Sequence, residues 1–247
     1  MGEQCTCSAW AAFGKASENG HSYLGFHGDA DISSAPYQIV VTAKPSKGNS
    51  FISIDMAGCI GSRAGMNGKG LATAWTTVGT SDEGGGTSPY ILSRLALQYC
   101  GGVNEVIDLV NSGPRVFGAN LLLTEREGKA VVVEYTHSHF NARVPIDSCL
   151  AVPSHFVSNE MNRYCPSMPR YPSSYYRYIR LEQLLYQNKG KMDMKIMEEI
   201  DRDHFDLSIG KTNPSPNTIC RHNSPDTVSS FLCDVTGIGA HSKRSSL

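Results

Sequence analysis

The fold of this chain is constrained most by a succession of period-two segments in its first third, with no helical stripe among them. In residues 7–13, Cys7, Ala9, Ala11 and Phe13 alternate with Ser8, Trp10 and Ala12, the pattern of a strand with a buried face. Glu18-Asn19-Gly20 is a turn signal, so residues 21–26 return as the second strand of a hairpin. Residues 37–43 (YQIVVTA) are β-branched, and Pro45-Ser46-Lys47-Gly48-Asn49 turns the chain into a strand over 51–56; another covers 71–78.

Helical spacing begins only at Ser88-Pro89, an N-cap followed by a first-turn proline, with Ile91, Leu92, Leu95, Ala96 and Tyr99 on one stripe and Gly101-Gly102 as the stop. A second short helix is predicted over 103–111. Strands resume at 119–125 and 129–136 around the turn Arg126-Glu127-Gly128. Helices are predicted at 174–186 and 192–201, and a last strand at 227–234. Strands, a helix pair, strands, a helix pair and a strand predict an α+β domain in which antiparallel sheets are layered with helices outside.

Composition removes several function classes. Lys and Arg total 22 against 23 Asp and Glu, for a net charge of −1, which leaves no excess to neutralise phosphates, so a nucleic-acid partner is not expected. No apolar run approaches the ~18–20 residues of a membrane span. The opening residues Met1-Gly2-Glu3-Gln4-Cys5 have no basic region leading into an apolar stretch, so the expected setting is a soluble cell interior, the cytoplasm first. Ser245-Ser246-Leu247 resembles a peroxisomal address without its basic middle residue. Cysteines at 5, 7, 59, 100, 149, 165, 220 and 233 have no zinc-ribbon spacing, and the histidines no ligand-like spacing, so no metal is expected. A Walker loop and a G-x-G-x-x-G turn are also missing, so no cofactor is expected.

Five segments in order carry a family resemblance. They are Cys7-Ser8-Ala9-Trp10-Ala11-Ala12-Phe13-Gly14 with the hairpin Gly20; Gly25-Phe26-His27-Gly28-Asp29, against G-R-N-L-D; Ile60-Gly61-Ser62-Arg63-Ala64-Gly65-Met66-Asn67-Gly68-Lys69-Gly70-Leu71, against I-G-x-x-G-M-N-x-K-G-L; Ser154-His155-Phe156, against N-H-F; and Thr218-Ile219-Cys220-Arg221-His222, against S-I-C-R-H. Together they resemble the acyl-CoA:isopenicillin N acyltransferase family of N-terminal nucleophile (Ntn) hydrolases, with penicillin V acylase and bile salt hydrolase more distant. The resemblance implies an αββα sandwich, two antiparallel sheets between helical layers, in one domain over 7–236. Residues 1–6 are then a short stub removed on maturation, and 237–247 a C-terminal tail without fixed structure.

It also implies a chemistry. A thiol is a weak nucleophile until a base takes its proton, and an α-amine on the same residue, with a reference pKa near 8, is held beside it by covalent geometry. Cys7 would become the first residue by cleavage of the Thr6–Cys7 bond, then attack a small amide or acyl thioester to form an acyl-enzyme, released to water or to an amine. Asp29 is expected to position the amine. Arg221 is expected either to hold the oxyanion or to anchor Asp29. Oxyanion and substrate candidates are a backbone N–H near Thr76 or Thr77, the Ser154 hydroxyl, Asn159, and Asn67, for which a tight turn between glycines is the favoured reading. A Cys–His dyad through His155 is not required by such a site.

Two positions depart from the family pattern: Phe26 stands where an arginine is expected, and Ser154 where an asparagine is. Relatives also carry a long segment ahead of the cysteine, where this sequence has six residues. These departures leave a second reading open, a catalytically silent member that binds a ligand or partner. Papain-like Cys–His–Asn spacing is not present, and oligomeric state is not legible.

Overall fold

The structure is a computed structural model and describes residues 6–145, 147–165, 172–223 and 225–244. In chain order the elements are β1 Ser8–Ala12, β2 Tyr23–Ala30, β3 Gln38–Ala43, β4 Phe51–Met56, β5 Ala64–Asn67, β6 Leu71–Thr77, α1 Pro89–Tyr99, α2 Val103–Asn111, β7 Ala119–Glu125, β8 Lys129–Tyr135, β9 Phe140–Arg143 and β10 Cys149–Val152. There follow α3 Asn159–Asn162, α4 Pro172–Gln187, α5 Met194–Asp201, β11 Phe205–Asp206, β12 Lys211–Thr212, β13 Asp226–Asp234 and β14 Gly239–Arg244.

Two antiparallel sheets face each other, one ordered β10-β1-β2-β13-β14 and the other β3-β4-β5-β6-β7-β8-β9. Alternation along the strands decides which layer each residue joins. Cys7, Ala9, Ala11, Leu24 and Phe26 of the first sheet meet Ile54, Ala64, Met66, Ala72, Leu122 and Val132 of the second in the inner core. The opposite faces pack outward: Trp10, Ala12, Tyr23 and Leu232 against Leu181 and Leu185 of α4 and Met197 and Ile200 of α5, and Leu71, Trp75, Leu121 and Val133 against α1 and α2. This is the αββα sandwich expected from the sequence.

Local signals explain several element ends. The Ser88 hydroxyl accepts from Ile91 N, capping α1 as its sequence implies. Gly25 on β2 lies under the Trp10 indole; a Cβ there would come within 2.2 Å of the ring, so only glycine lets β1 and β2 pair beneath that side chain.

The C-terminal expectation is corrected. Residues 239–244 form β14, paired with β13 from Ser229 to Asp234, rather than a tail without structure. The polar segment covers the backbone donors and acceptors of β13, and polar edge strands lack the apolar alternation by which strands are recognised. Short β5, β9, β10 and α3 were likewise below the reach of periodicity. Cys5 and residues 245–247 lie outside the described residues. No helix among the described residues is long and apolar enough to cross a membrane.

Candidate active site

Antiparallel pairing gathers the family-like segments at one end of the five-stranded sheet. Ser8 pairs with His27 and Ala9 with Val152, so the residue before β1 meets the end of β2 on one side and the residues following β10 on the other. Thr227, at the start of β13, pairs with Asp29. Cys7, Asp29, Ser154 and Arg221 therefore converge although they are spread over 215 residues of chain.

The Cys7 thiol points into the inner core and is buried, and Arg63 NH2 donates to its Sγ at 3.5 Å. The Cys7 carbonyl accepts from the Ser154 hydroxyl at 2.9 Å and from Arg177 NH1 at 3.1 Å. The preceding carbonyl, of Thr6, accepts from Arg221 NH1 at 3.3 Å, and that same group also donates to the Thr6 hydroxyl. Both carbonyls flanking the Thr6–Cys7 junction are thus held by buried cations.

Asp29 is fully buried. Its Oδ2 lies 3.4 Å from Arg177 NH1 and 3.6 Å from Arg221 NH1, while Oδ1 accepts from Thr227 Oγ1 at 2.8 Å. It is linked to the Cys7 residue through these arginines, which bond the Thr6 and Cys7 carbonyls. Burial lowers the Arg177 pKa, helped by the Arg221 charge and opposed by Asp29 and Cys7, to about 10, so the group stays charged at neutral pH. Three guanidiniums thus hold the thiol and its backbone, with the Asp29 carboxylate between two of them. Asp55 on β4, its pKa raised by burial, is a further carboxyl that feels Arg63. A pocket so biased favours negative charge on sulfur or on an acyl oxygen.

Arg63 and Arg177 were missed from the sequence. Arg177 carried a legible signal: with Ser174, Leu181 and Leu185 it lies on the buried stripe of α4, where an arginine needs a buried partner. Arg63 had none. Its guanidinium lies 5.7 Å from the Phe26 ring centroid, so the charge missing from position 26 arrives from the opposite sheet. Gly28 leaves it room, since a Cβ there would sit 2.9 Å from Arg63 Cζ.

The remaining expected residues are placed as follows. Asn67 is on the outer face of its sheet: its amide donates to the Leu97 and Cys100 carbonyls, and its Oδ1 accepts from Lys69 and Leu71 N–H. It is a turn and helix-end anchor, away from the inner core that holds Cys7. Asn159 is exposed at the start of α3, because the Glu134 carboxylate draws Val157 and Ser158 N–H to itself and turns the helix outward. Thr77 ends β6, and its neighbour Thr76 donates to the Pro153 carbonyl at 2.6 Å, bracing the loop that carries Ser154. Asn120 supports the same loop through the Pro153 and His155 carbonyls. His155 bonds Ser174 Oγ and stacks on Tyr175; burial, then Arg177 and Arg143, lower its pKa to about 4, so it is neutral.

A separate cavity of about 270 Å³, lined in part by Arg143, Cys149, Tyr178 and Glu182, opens at the other end of β1, where Cys149 pairs with Ala12. Among the described residues one triad, His204, Cys220 and His222, has metal-ligand atoms mutually within 4.8 Å.

Residues 16–232 match the model of a family described as acyl-coenzyme A:6-aminopenicillanic acid acyl-transferase. The matched span contains Asp29, Arg63, Ser154, Arg177 and Arg221 and begins after Cys7. A sequence comparison with curated proteins finds no match. Among solved structures, a Caenorhabditis elegans ortholog of N-acylethanolamine-hydrolyzing acid amidase superposes with a TM-score of 0.64 at 14% identity, covering 93% of each chain. A variant of conjugated bile acid hydrolase from Clostridium perfringens gives 0.63 at 13% identity over 96% of this chain and 92% of that one. Penicillin V acylase from Agrobacterium tumefaciens gives 0.62 at 13% identity over 97% and 83%. At these identities the likeness establishes the shared Ntn-hydrolase fold.

Proposed function

Because the chain belongs to the acyl-coenzyme A:6-aminopenicillanic acid acyl-transferase family, we propose that it is an Ntn amidase or acyltransferase whose nucleophile is Cys7, exposed as a chain terminus by self-cleavage. The observation that carries this reading is the grip on the Thr6–Cys7 junction. The thiol sits beside Arg63, and the carbonyl that must become an oxyanion is bonded to Arg221.

In the maturation step, Cys7 Sγ attacks the Thr6 carbonyl carbon, and negative charge collects on the oxygen held by Arg221. The Thr6–Cys7 C–N bond breaks, the nitrogen takes a proton to become the α-amine of Cys7, and residue 6 is left as a thioester on sulfur. Water hydrolyses that thioester and regenerates the thiol. The freed amine then serves as the base for the same sulfur in turnover, while Asp29 and Ser154 fix the Cys7 backbone. An amide or acyl thioester substrate places its carbonyl where the Thr6 carbonyl had been. Arg177 Nε and NH2 are buried without a partner among the described residues and supply donors for a substrate oxygen.

The silent-module reading rests on the charge lost at Phe26, the amide lost at Ser154 and the short segment ahead of Cys7. Against the first two stand Arg63, which places a charge beside the sulfur, and the hydrogen bond that Ser154 keeps to the Cys7 residue; the third is decided by the experiment. The test is the intact mass of the purified chain, followed by quenching after incubation with N-acyl amino acids, phenoxyacetyl amides and acyl thioesters. The expected species begins at Cys7 and acquires an acyl adduct on that residue, and Cys7→Ala stays uncleaved. A folded wild-type chain that retains residues 1–6 and takes no adduct overturns the proposal.

A further inference from the structure

The loop that sends Arg221 inward presents its neighbours outward. Cys220 and His222, on either side of Arg221, meet His204, which follows α5. His222 Nε2 lies 3.0 Å from His204 Nε2 and 3.9 Å from Cys220 Sγ. A tetrahedral ion with Zn–N near 2.0–2.1 Å and Zn–S near 2.3 Å separates its ligand atoms by about 3.3–3.6 Å; these two separations bracket that range, and the third, between His204 and Cys220, lies within 4.8 Å, so a small side-chain adjustment closes the set.

The backbone presets this arrangement. Cys220 N–H donates to the Asp203 carbonyl at 3.1 Å, Asn213 N–H to the His204 carbonyl at 2.9 Å, and His222 N–H to the Ser215 carbonyl at 3.2 Å. One thiol with two imidazoles is a borderline-soft donor set that suits zinc over calcium or magnesium.

We propose that His204, Cys220 and His222 form a Zn²⁺ site whose fourth position is taken by water. Binding replaces the Cys220 S–H bond with a sulfur–zinc bond and releases the proton to solvent, with no change of oxidation state. The ion ties both neighbours of Arg221 to the segment after α5 and so braces the loop that carries this arginine. The inference stands apart from the acyl chemistry, since none of the three ligands contacts Cys7 through the hydrogen bonds described above.

The test uses the full-length chain stripped by a chelator and titrated with Co²⁺, a spectroscopic stand-in for Zn²⁺. The expected result is one equivalent bound, with a sulfur-to-cobalt charge-transfer band and the intense visible bands of a tetrahedral ion, all displaced by Zn²⁺. Cys220→Ser should lose the charge-transfer band with an unchanged far-UV circular dichroism spectrum. His204→Ala, on a separate segment, should weaken Zn²⁺ binding by at least ~10-fold, the lower end of the cost of losing even an outer partner. Zn²⁺ should raise the melting temperature of the wild type and leave that of the His204→Ala/His222→Ala chain unmoved. A wild-type titration without a charge-transfer band overturns the proposal and leaves the two rings as a hydrogen-bonded pair. A band that survives in folded Cys220→Ser overturns it as well, by placing the ion on another thiol.

Discussion

Substituting Asn for Asp29 removes a charge and almost no volume from the carboxylate that lies 3.4 Å from Arg177 and 3.6 Å from Arg221. At an effective dielectric near 20, each of those pairs contributes about 4–5 kcal/mol of attraction. Desolvating the carboxylate and both guanidiniums offsets much of that sum, and removing one partner of a buried pair costs about 3–5 kcal/mol in practice because the others are left uncompensated. Here the uncompensated groups are two guanidiniums that already repel each other. For a chain of this size the melting temperature should fall by roughly 6–20 °C. The measurement is best made in a Cys7→Ala background, so that neither protein is cleaved and the difference reads the ion cluster alone. Thr227→Val is a milder comparison that leaves every charge in place: it removes the hydroxyl that donates to the same carboxylate and accepts from Arg221 N–H, and should cost about 2–4 kcal/mol. With Cys7 restored, Asp29→Asn should also slow appearance of the Cys7-terminated chain. An Asp29→Asn protein that melts within about 2 °C of its parent would refute the buried-cluster reasoning.

Three further outcomes follow from the same geometry. Burial presses the His27 pKa down, but the charge and hydrogen bond of Asp201, the charge of Asp29 and the Ile219 carbonyl together raise it above its ordinary 6.5. Its stabilising contribution is therefore complete below that value and lost as pH climbs through the raised one, so the urea midpoint of wild type relative to His27→Gln should fall with increasing pH; a rising difference contradicts the assignment. Gly25→Ala, whose Cβ would meet Trp10 at 2.2 Å, should destabilise by about 1–3 kcal/mol or more in urea titrations, and a neutral result would mean that the indole moves freely. Because Cys59 is exposed and Cys7 buried before cleavage, iodoacetamide should label Cys59 first in the uncleaved chain, as peptide mapping would reveal. Preferential labelling of Cys7 in that chain would contradict its burial.

The long elements were legible because each repeats a local signal. The helix over 103–111 and the strands over 51–56 and 119–125 follow from apolar period and bounding turn residues, and they emerge with those same limits. That order of strands and helix pairs already requires layers, since every apolar face must find a partner. Residues adjacent in a motif, such as Cys7 and Asp29 in their family-like segments, could be named from the sequence for the same reason. Arg63, Arg177 and the His204–Cys220–His222 cluster could not be assembled that way. Their neighbours are chosen by strand register, by the bend after α5 and by the packing of α4 against the first sheet, which bring together residues with no fixed spacing along the chain. Asn67 and Asn159 show the converse: a suitable amide was present in each, but the pleat turned one toward α1 and the Glu134 carboxylate turned the other toward solvent. Periodicity records which face of an element is buried, whereas the identity of what it is buried against is a pairwise property of distant segments, and only the closed sandwich decides it.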